Sequence, residues 1–308
     1  MVDWSGGGDT GPRPRKDAIW AAVRCPDADL PALYLRNRDL ALDWLSALVG
    51  REVAAGRRLL IGFDFPFGYP AGFAAQVTGR ADPLALWDWL QAAFDALPAG
   101  AGRFDVGAQL NRKFPGVGPF WFNGLRRSIA DLPRKGTWVG GHGMAARRLA
   151  EQRAPGAFTC WQMGGAGAVG SQAMTGMATL ARLRGRHPDA ISVWPFQPLD
   201  RPVALVEIWP SLLRAAVAKA MDASGETIRD RAQVEVMART VAAAQDRGEL
   251  AAMLAAVPTG PPRDEEGWIL GVGSEAALKD AAEATVLPTP GAGGSLHRPG
   301  GAPGTAAT

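Results

Sequence analysis

Apolar positions along the chain switch between short runs and longer helical periods. The opening "MVDWS" has the pattern of a strand that ends at Asp3 and enters the glycine turn "GGGDTG". Only two residues precede Asp3, so this strand is expected to be stubby or clipped. "AIWAAVRC" (Ala18 to Cys25) and "ALYLRN" (Ala32 to Asn37) predict two more strands in a meander with the first. In "RDLALDWLSALVGREVAAG" the apolar residues recur at helical spacing and stop at Gly56. "RRLLIGFDFPFGYP" follows as a strand terminated by Pro66 and Pro70.

The stretch from residue 71 to about 157 is expected to leave this core as a large insertion, with a Trp-rich helix over Pro83 to Leu97 and then a loop of Gly, Arg and aromatics. Helices are predicted over Ser171 to Arg184, Thr227 to Gln245 and Glu249 to Ala256, and strands at "ISVWPF" and "VALVEIWP". From about Thr285 the composition is too poor in apolar residues to fold, which predicts a disordered tail over 285–308 after one domain over 1–284. No internal repeat is evident.

Composition narrows the class. Thirty-three Lys and Arg stand against 30 Asp and Glu, so the net charge of +3 does not by itself announce a nucleic-acid partner. Two cysteines, Cys25 and Cys160, are too few for a disulfide framework and lack metal-ligand spacing. With no signal peptide and no long apolar run, a cytoplasmic protein without a membrane segment is expected.

Three acids occupy comparable places. Asp3, Asp64 and Glu207 each sit at or near the carboxyl end of an apolar strand, beside a turn. A lone carboxylate there is costly to desolvate, and several on neighbouring strands repel unless a cation neutralises them. Hard oxygen ligands of this kind suit Mg²⁺ or Mn²⁺, which activate water in phosphodiester hydrolysis. Each acid also has an ordinary reading, as a turn residue or an ion-pair partner. Their joint placement in a β-β-β-α-β…β-α order is that of a ribonuclease-H-like α/β domain, a mixed sheet flanked by helices.

"VDWSGGG", "GFDFPFGYP" and "VEIWPSLL" resemble the three strand motifs of a family of unknown function predicted to be ribonuclease-H-like nucleases. The resemblance covers roughly residues 1 to 70 and 160 to 245. It implies a divalent-metal phosphodiesterase activity, with Asp3, Asp64 and Glu207 as metal ligands. The family's last acid lies on the closing helix, where Asp230 is the nearest match, and Asp264, Glu265 and Glu266 in "RDEEGWILGV" are its rivals. Some relatives carry a molybdopterin guanine dinucleotide synthesis label, for which this chain lacks the glycine-rich opening of a nucleotidyltransferase.

Two further segments bear on a ligand. "GAGAVG" (Gly165 to Gly170) matches G-x-G-x-x-G, but without a convincing strand before it a dinucleotide site is not indicated. A phosphate contact at Gly167, Ser171 and Gln172 is the alternative to a plain tight turn. Between Arg103 and Arg153, ten basic residues face three acidic ones, a local charge of +7 interleaved with aromatics. Arg126, Arg127 and Trp121 are the candidates there for contact with an unpaired strand. His142 reads as a loop histidine. Two other functions share the core pattern: an ATP-dependent phosphotransferase of the actin and sugar-kinase type, and a nucleic-acid-binding module without catalysis.

Overall fold

The computed structural model describes residues 1–5, 8–13, 18–25, 28–134 and 139–285. The segment 286–308, read above as a tail, therefore lies outside the described residues, as do Lys135 and Trp138 of the basic insertion. A six-stranded mixed sheet is flanked by helices on both faces. In chain order its first part is β1 (Val2–Asp3), β2 (Ile19–Ala21), a small hairpin of β3 (Arg24–Cys25) and β4 (Ala28–Asp29), β5 (Leu33–Leu35), α1 (Arg38–Ala54) and β6 (Leu59–Phe63). Next come α2 (Phe73–Thr78), α3 (Pro83–Asp95), α4 (Arg103–Asn111), α5 (Leu149–Arg153) and α6 (Gly170–Arg186). The chain then forms β7 (Ile191–Val193), β8 (Val203–Glu207), α7 (Arg214–Ser224), α8 (Arg229–Asp246), α9 (Leu250–Ala255) and α10 (Glu275–Thr285).

The sheet order is β5-β2-β1-β6-β8-β7. β5, β2 and β1 run antiparallel to one another, and β6, β8 and β7 continue from β1 in parallel. β6 and β8 are central, read as near-continuous apolar runs, and are buried from both sides, as parallel strands require. The expected strand over Ala18 to Cys25 is split, with β2 in the main sheet and β3 turning away into the hairpin.

Local signals explain the helix starts. Asn37 caps α1 by accepting from Leu40 N–H at 3.0 Å, and Asp82 caps α3 from Leu84 N–H at 2.9 Å with Pro83 in the first helical position. One apolar core lies between the sheet and α1 and α6, and the aromatics of the 71–157 stretch join it, among them Trp87, Phe73 and Phe120. The opposite face of the sheet is covered by α8, against which α7 and α10 pack around Val206, Ile208, Val236 and Met237.

Candidate functional site

Alternation along the strands decides which of the predicted acids meet. β1 and β6 are parallel with Val2 beside Phe63, so by the alternation of the pleat the next positions, Asp3 and Asp64, are directed to the same face. That is the face of α8: Asp3 pairs across to Trp20, which packs on Val234 and Ala238 of that helix. The first turn of α8 brings Asp230 close enough to act on Asp64 electrostatically. The Asp64 carboxylate accepts from Trp4 N–H at 2.6 Å, and the Gln172 amide donates to Trp4 O at 2.7 Å, so Trp4 is held between β6 and α6. Asp64 has its pKa raised from 3.8 to about 7, chiefly by desolvation and further by the like charge of Asp230, against the pull of its bond from Trp4. Part of its surface still reaches solvent.

Glu207 is not in this group. β8 pairs with β6 so that Glu207 lies beside Phe63 rather than Asp64, and a one-residue offset turns its side chain to the opposite face. There Arg148 holds it through Nη2 to Oε1 at 2.6 Å and Nη1 to Oε2 at 2.8 Å, and Phe67 N–H donates to Oε2 at 3.0 Å. Both side chains are fully enclosed, Glu207 2% and Arg148 1% exposed. The expectation that Glu207 converges with Asp3 and Asp64 on one cation is therefore corrected: its lone pairs are taken by an arginine and a backbone amide.

Arg148 organises a larger buried network. It also donates to Glu151 Oε1 and to the Glu266 carbonyl, each at 2.9 Å. Burial would lower its pKa, but Glu207 and Glu151 outweigh that and hold it well above the ordinary range. Burial pushes Glu151 upward, and it pushes the nearby Cys160 thiol well up as well, which leaves that cysteine unreactive.

The rivals of Asp230 are engaged or remote. Glu266 accepts from Leu149 N–H at 2.9 Å and Ala71 N–H at 3.1 Å, and Glu265 from Gly72 N–H at 2.8 Å, in a π-helical turn over Pro262–Glu266. Asp264 is exposed on that turn. The turn presses on the chain after β6 so closely that a Cβ on Gly68 would stand 2.4 Å from the Glu265 carbonyl oxygen. The glycine of "DFPFG" thus serves a close backbone approach, and the phenylalanine before it supplies the amide for Glu207.

The other candidates are dispersed. Ser171 is 5% exposed and donates to the Met163 carbonyl at 2.6 Å, Gln172 holds Trp4, and Gly167 adopts φ +74° against the Phe158 ring. Among the described residues the element before the glycine turn is α5, and the turn leads into α6 at Gly170. In the basic stretch Phe104, Phe114 and Phe120 are core residues, while Trp121 is half-buried and Arg126 and Arg127 are exposed. His142 is 5% exposed, and its Nδ1 accepts from Met144 N–H at 3.2 Å. No helix of the described residues is long and apolar enough to cross a membrane.

Among the described residues no group of three or more His, Cys, Asp or Glu side chains is placed so that it could hold a metal ion, so Asp3, Asp64 and Asp230 do not form a three-carboxylate metal site. In comparison with known proteins, no family model matches the chain, no curated protein matches it, and no solved structure matches it.

Proposed function

We propose that this chain is a divalent-cation-dependent phosphodiesterase of the ribonuclease-H-like type that acts on nucleic acid, with Asp64, Asp3 and Asp230 as its acids. The observation that carries the reading is Asp64: a carboxylate fixed at the end of the central strand, desolvated, beside a second carboxylate and without a guanidinium described against it. Such an arrangement is unfavourable for the folded chain alone and becomes favourable when a dication enters. The sheet supports the same reading, since three antiparallel strands followed by parallel ones place the first and central strands next to each other. The edge strand β7 is an addition to that plan.

No group of three acids that could hold an ion is present among the described residues, so a hard cation would be held by one or two carboxylates, Asp64 first, with water and substrate oxygens completing its shell as Mg²⁺ sites commonly do. Bound there, the ion supplies Lewis acidity and an acidified water. The chain contributes position: Trp4 N–H orients the Asp64 carboxylate, the Gln172 amide keeps Trp4 in place, and α8 presents Asp230 from its first turn. An actin-type phosphotransferase needs a duplicated core, and among the described residues there is one six-stranded sheet.

The test has two arms. Thermal unfolding is followed with and without Mn²⁺ at pH 8 for wild type and Asp64→Asn, since an ion that binds only the native chain raises its melting point. Cleavage of labelled single- and double-stranded substrates is measured with Mg²⁺ or Mn²⁺ on the same proteins. A rise and a cleavage that Asp64→Asn abolishes are expected. Equal cleavage by both proteins, or no response of the wild type to either ion together with no cleavage, refutes the reading.

A further inference from the structure

Two clefts outside the acid group, of 640 and 570 Å³, meet at Arg103, which lines both. Ser5, two residues beyond Asp3, lines the first cleft together with the turn from Gly8 to Gly11. That turn is built rigidly: Asp9 accepts from Arg36 Nε and from Gly11 N–H, and the Asn37 amide donates to the Asp9 carbonyl, each at 3.0 Å. A Cβ on Gly8 would lie 3.4 Å from Arg38 Nη2, so this guanidinium sits directly against the turn that walls the first cleft.

The second cleft carries Arg38, Arg103 and Arg182 with the carboxylates of Asp39 and Asp95, an excess of one positive charge. Arg182 engages Asp95, and Asp39 is exposed in the first turn of α1. The pKa of Arg38 is lowered by burial first and next by Arg103, with Asp39 opposing and Arg182 adding to the effect. Arg38 and Arg103 line the same cleft and stand close enough to act on each other electrostatically. A phosphate group placed between them gains from both charges, because a planar guanidinium fork donates in parallel to its oxygens.

We propose that Arg38 and Arg103 form a phosphate subsite where the two clefts meet, which receives a phosphate group of the substrate. The identity of that substrate rests on the phosphodiesterase reading, whereas the subsite rests on the placement of the guanidiniums in the clefts. Arg103, partly exposed, is the residue to change first.

Binding of a fluorescein-labelled oligothymidylate is measured by anisotropy at several salt concentrations, without divalent ions, for wild type, Arg103→Gln and Arg38→Gln. Arg57→Gln is the charge-matched control, since Arg57 is exposed and bonded to Glu52 at the far end of β6. Arg103→Gln is expected to weaken binding about tenfold and to reduce the salt slope by about one, while Arg57→Gln changes neither. Thymidine diphosphate is added as competitor: displacement at low concentration assigns the subsite to a terminal phosphate, and failure to displace assigns it to a phosphate within the strand. The urea midpoint of each variant is read alongside, and if Arg38→Gln does not fold the decision falls to Arg103→Gln alone. Wild-type affinity and slope in Arg103→Gln overturn the proposal, as does a wild type that binds neither probe. The Mn²⁺ melting shift of Arg103→Gln separates the two readings, because it stays intact when only the phosphate subsite is lost.

Discussion

Replacing Arg148 by methionine tests whether Glu207 is a structural anion. The change keeps most of the side-chain volume but removes the guanidinium that makes two bonds to Glu207, at 2.6 and 2.8 Å, one to Glu151 and one to the Glu266 carbonyl. Two carboxylates at 2% exposure are left without their counter-ion, and breaking a buried pair in this way costs about 3–5 kcal/mol. Against a total stability of about 5–15 kcal/mol this is a large fraction. Glu207→Gln is milder, about 1.5–3 kcal/mol, because the amide oxygen still accepts from Phe67 N–H. The Arg148→Met/Glu207→Gln double variant should lose less than the sum of the singles, by about 0.5–3 kcal/mol. Urea unfolding followed by tryptophan fluorescence measures all three, and the cost of Arg148→Met should be larger at pH 8 than at pH 5, where the stranded carboxylates take up protons. Strict additivity refutes the coupling. A Glu207→Gln protein of native stability that no longer responds to Mn²⁺ would return Glu207 to the ligand set.

Three further outcomes follow from the same geometry. Gly68→Ala forces a Cβ to within 2.4 Å of a backbone oxygen and should cost about 1–3 kcal/mol or more in urea unfolding. Because the folded pKa of Asp64 is raised to about 7 from 3.8, metal-free wild type should be most stable at the acidic end of that interval, lose stability as pH rises through it, and level off above. Asp64→Asn should flatten that decline and gain about 1–3 kcal/mol above neutrality, less than the roughly 1.4 kcal/mol per pH unit of a fully enclosed group, since Asp64 keeps some contact with water. Mn²⁺ affinity should rise with pH up to about 7 and then flatten, which calorimetry at several pH values reads directly, because the ion competes with the Asp64 proton.

Much of the architecture was legible where a local rule governs it. The helix from Arg38 and the one from Pro83 announce themselves by Asn37, Asp82 and the proline, and the central strands by their unbroken apolar runs. α7 was not, because "RAAVAKAMDAS" is alanine-rich and buries only Val217 fully, which leaves hardly any periodic signal. The basic stretch misled for a related reason: an arginine reads as a surface charge unless its partner is known, and Glu207 lies 59 residues from Arg148. The same holds for Arg38 and Arg103, which come together only where the starts of α1 and α4 line one cleft.

The acids show where sequence reasoning stops for a physical cause. A carboxylate at the end of an apolar strand looks the same whether it points to one face of the sheet or the other, because the pleat has a period of two residues. Asp64 follows Phe63, whereas Glu207 is the residue opposite Phe63, and that single step separates a carboxylate beside Asp230 from one clasped by Arg148. Register is a property of two strands and is not written in either. What the motifs around Asp64 and Glu207 do encode is their shared scaffold: the Phe67 amide binds Glu207, and the glycine after it admits the turn that carries Glu265 and Glu266. Part of the resemblance to a metal-site signature is thus a packing signature, and what remains on the face of α8 is Asp64 with the like charge of Asp230 acting on it.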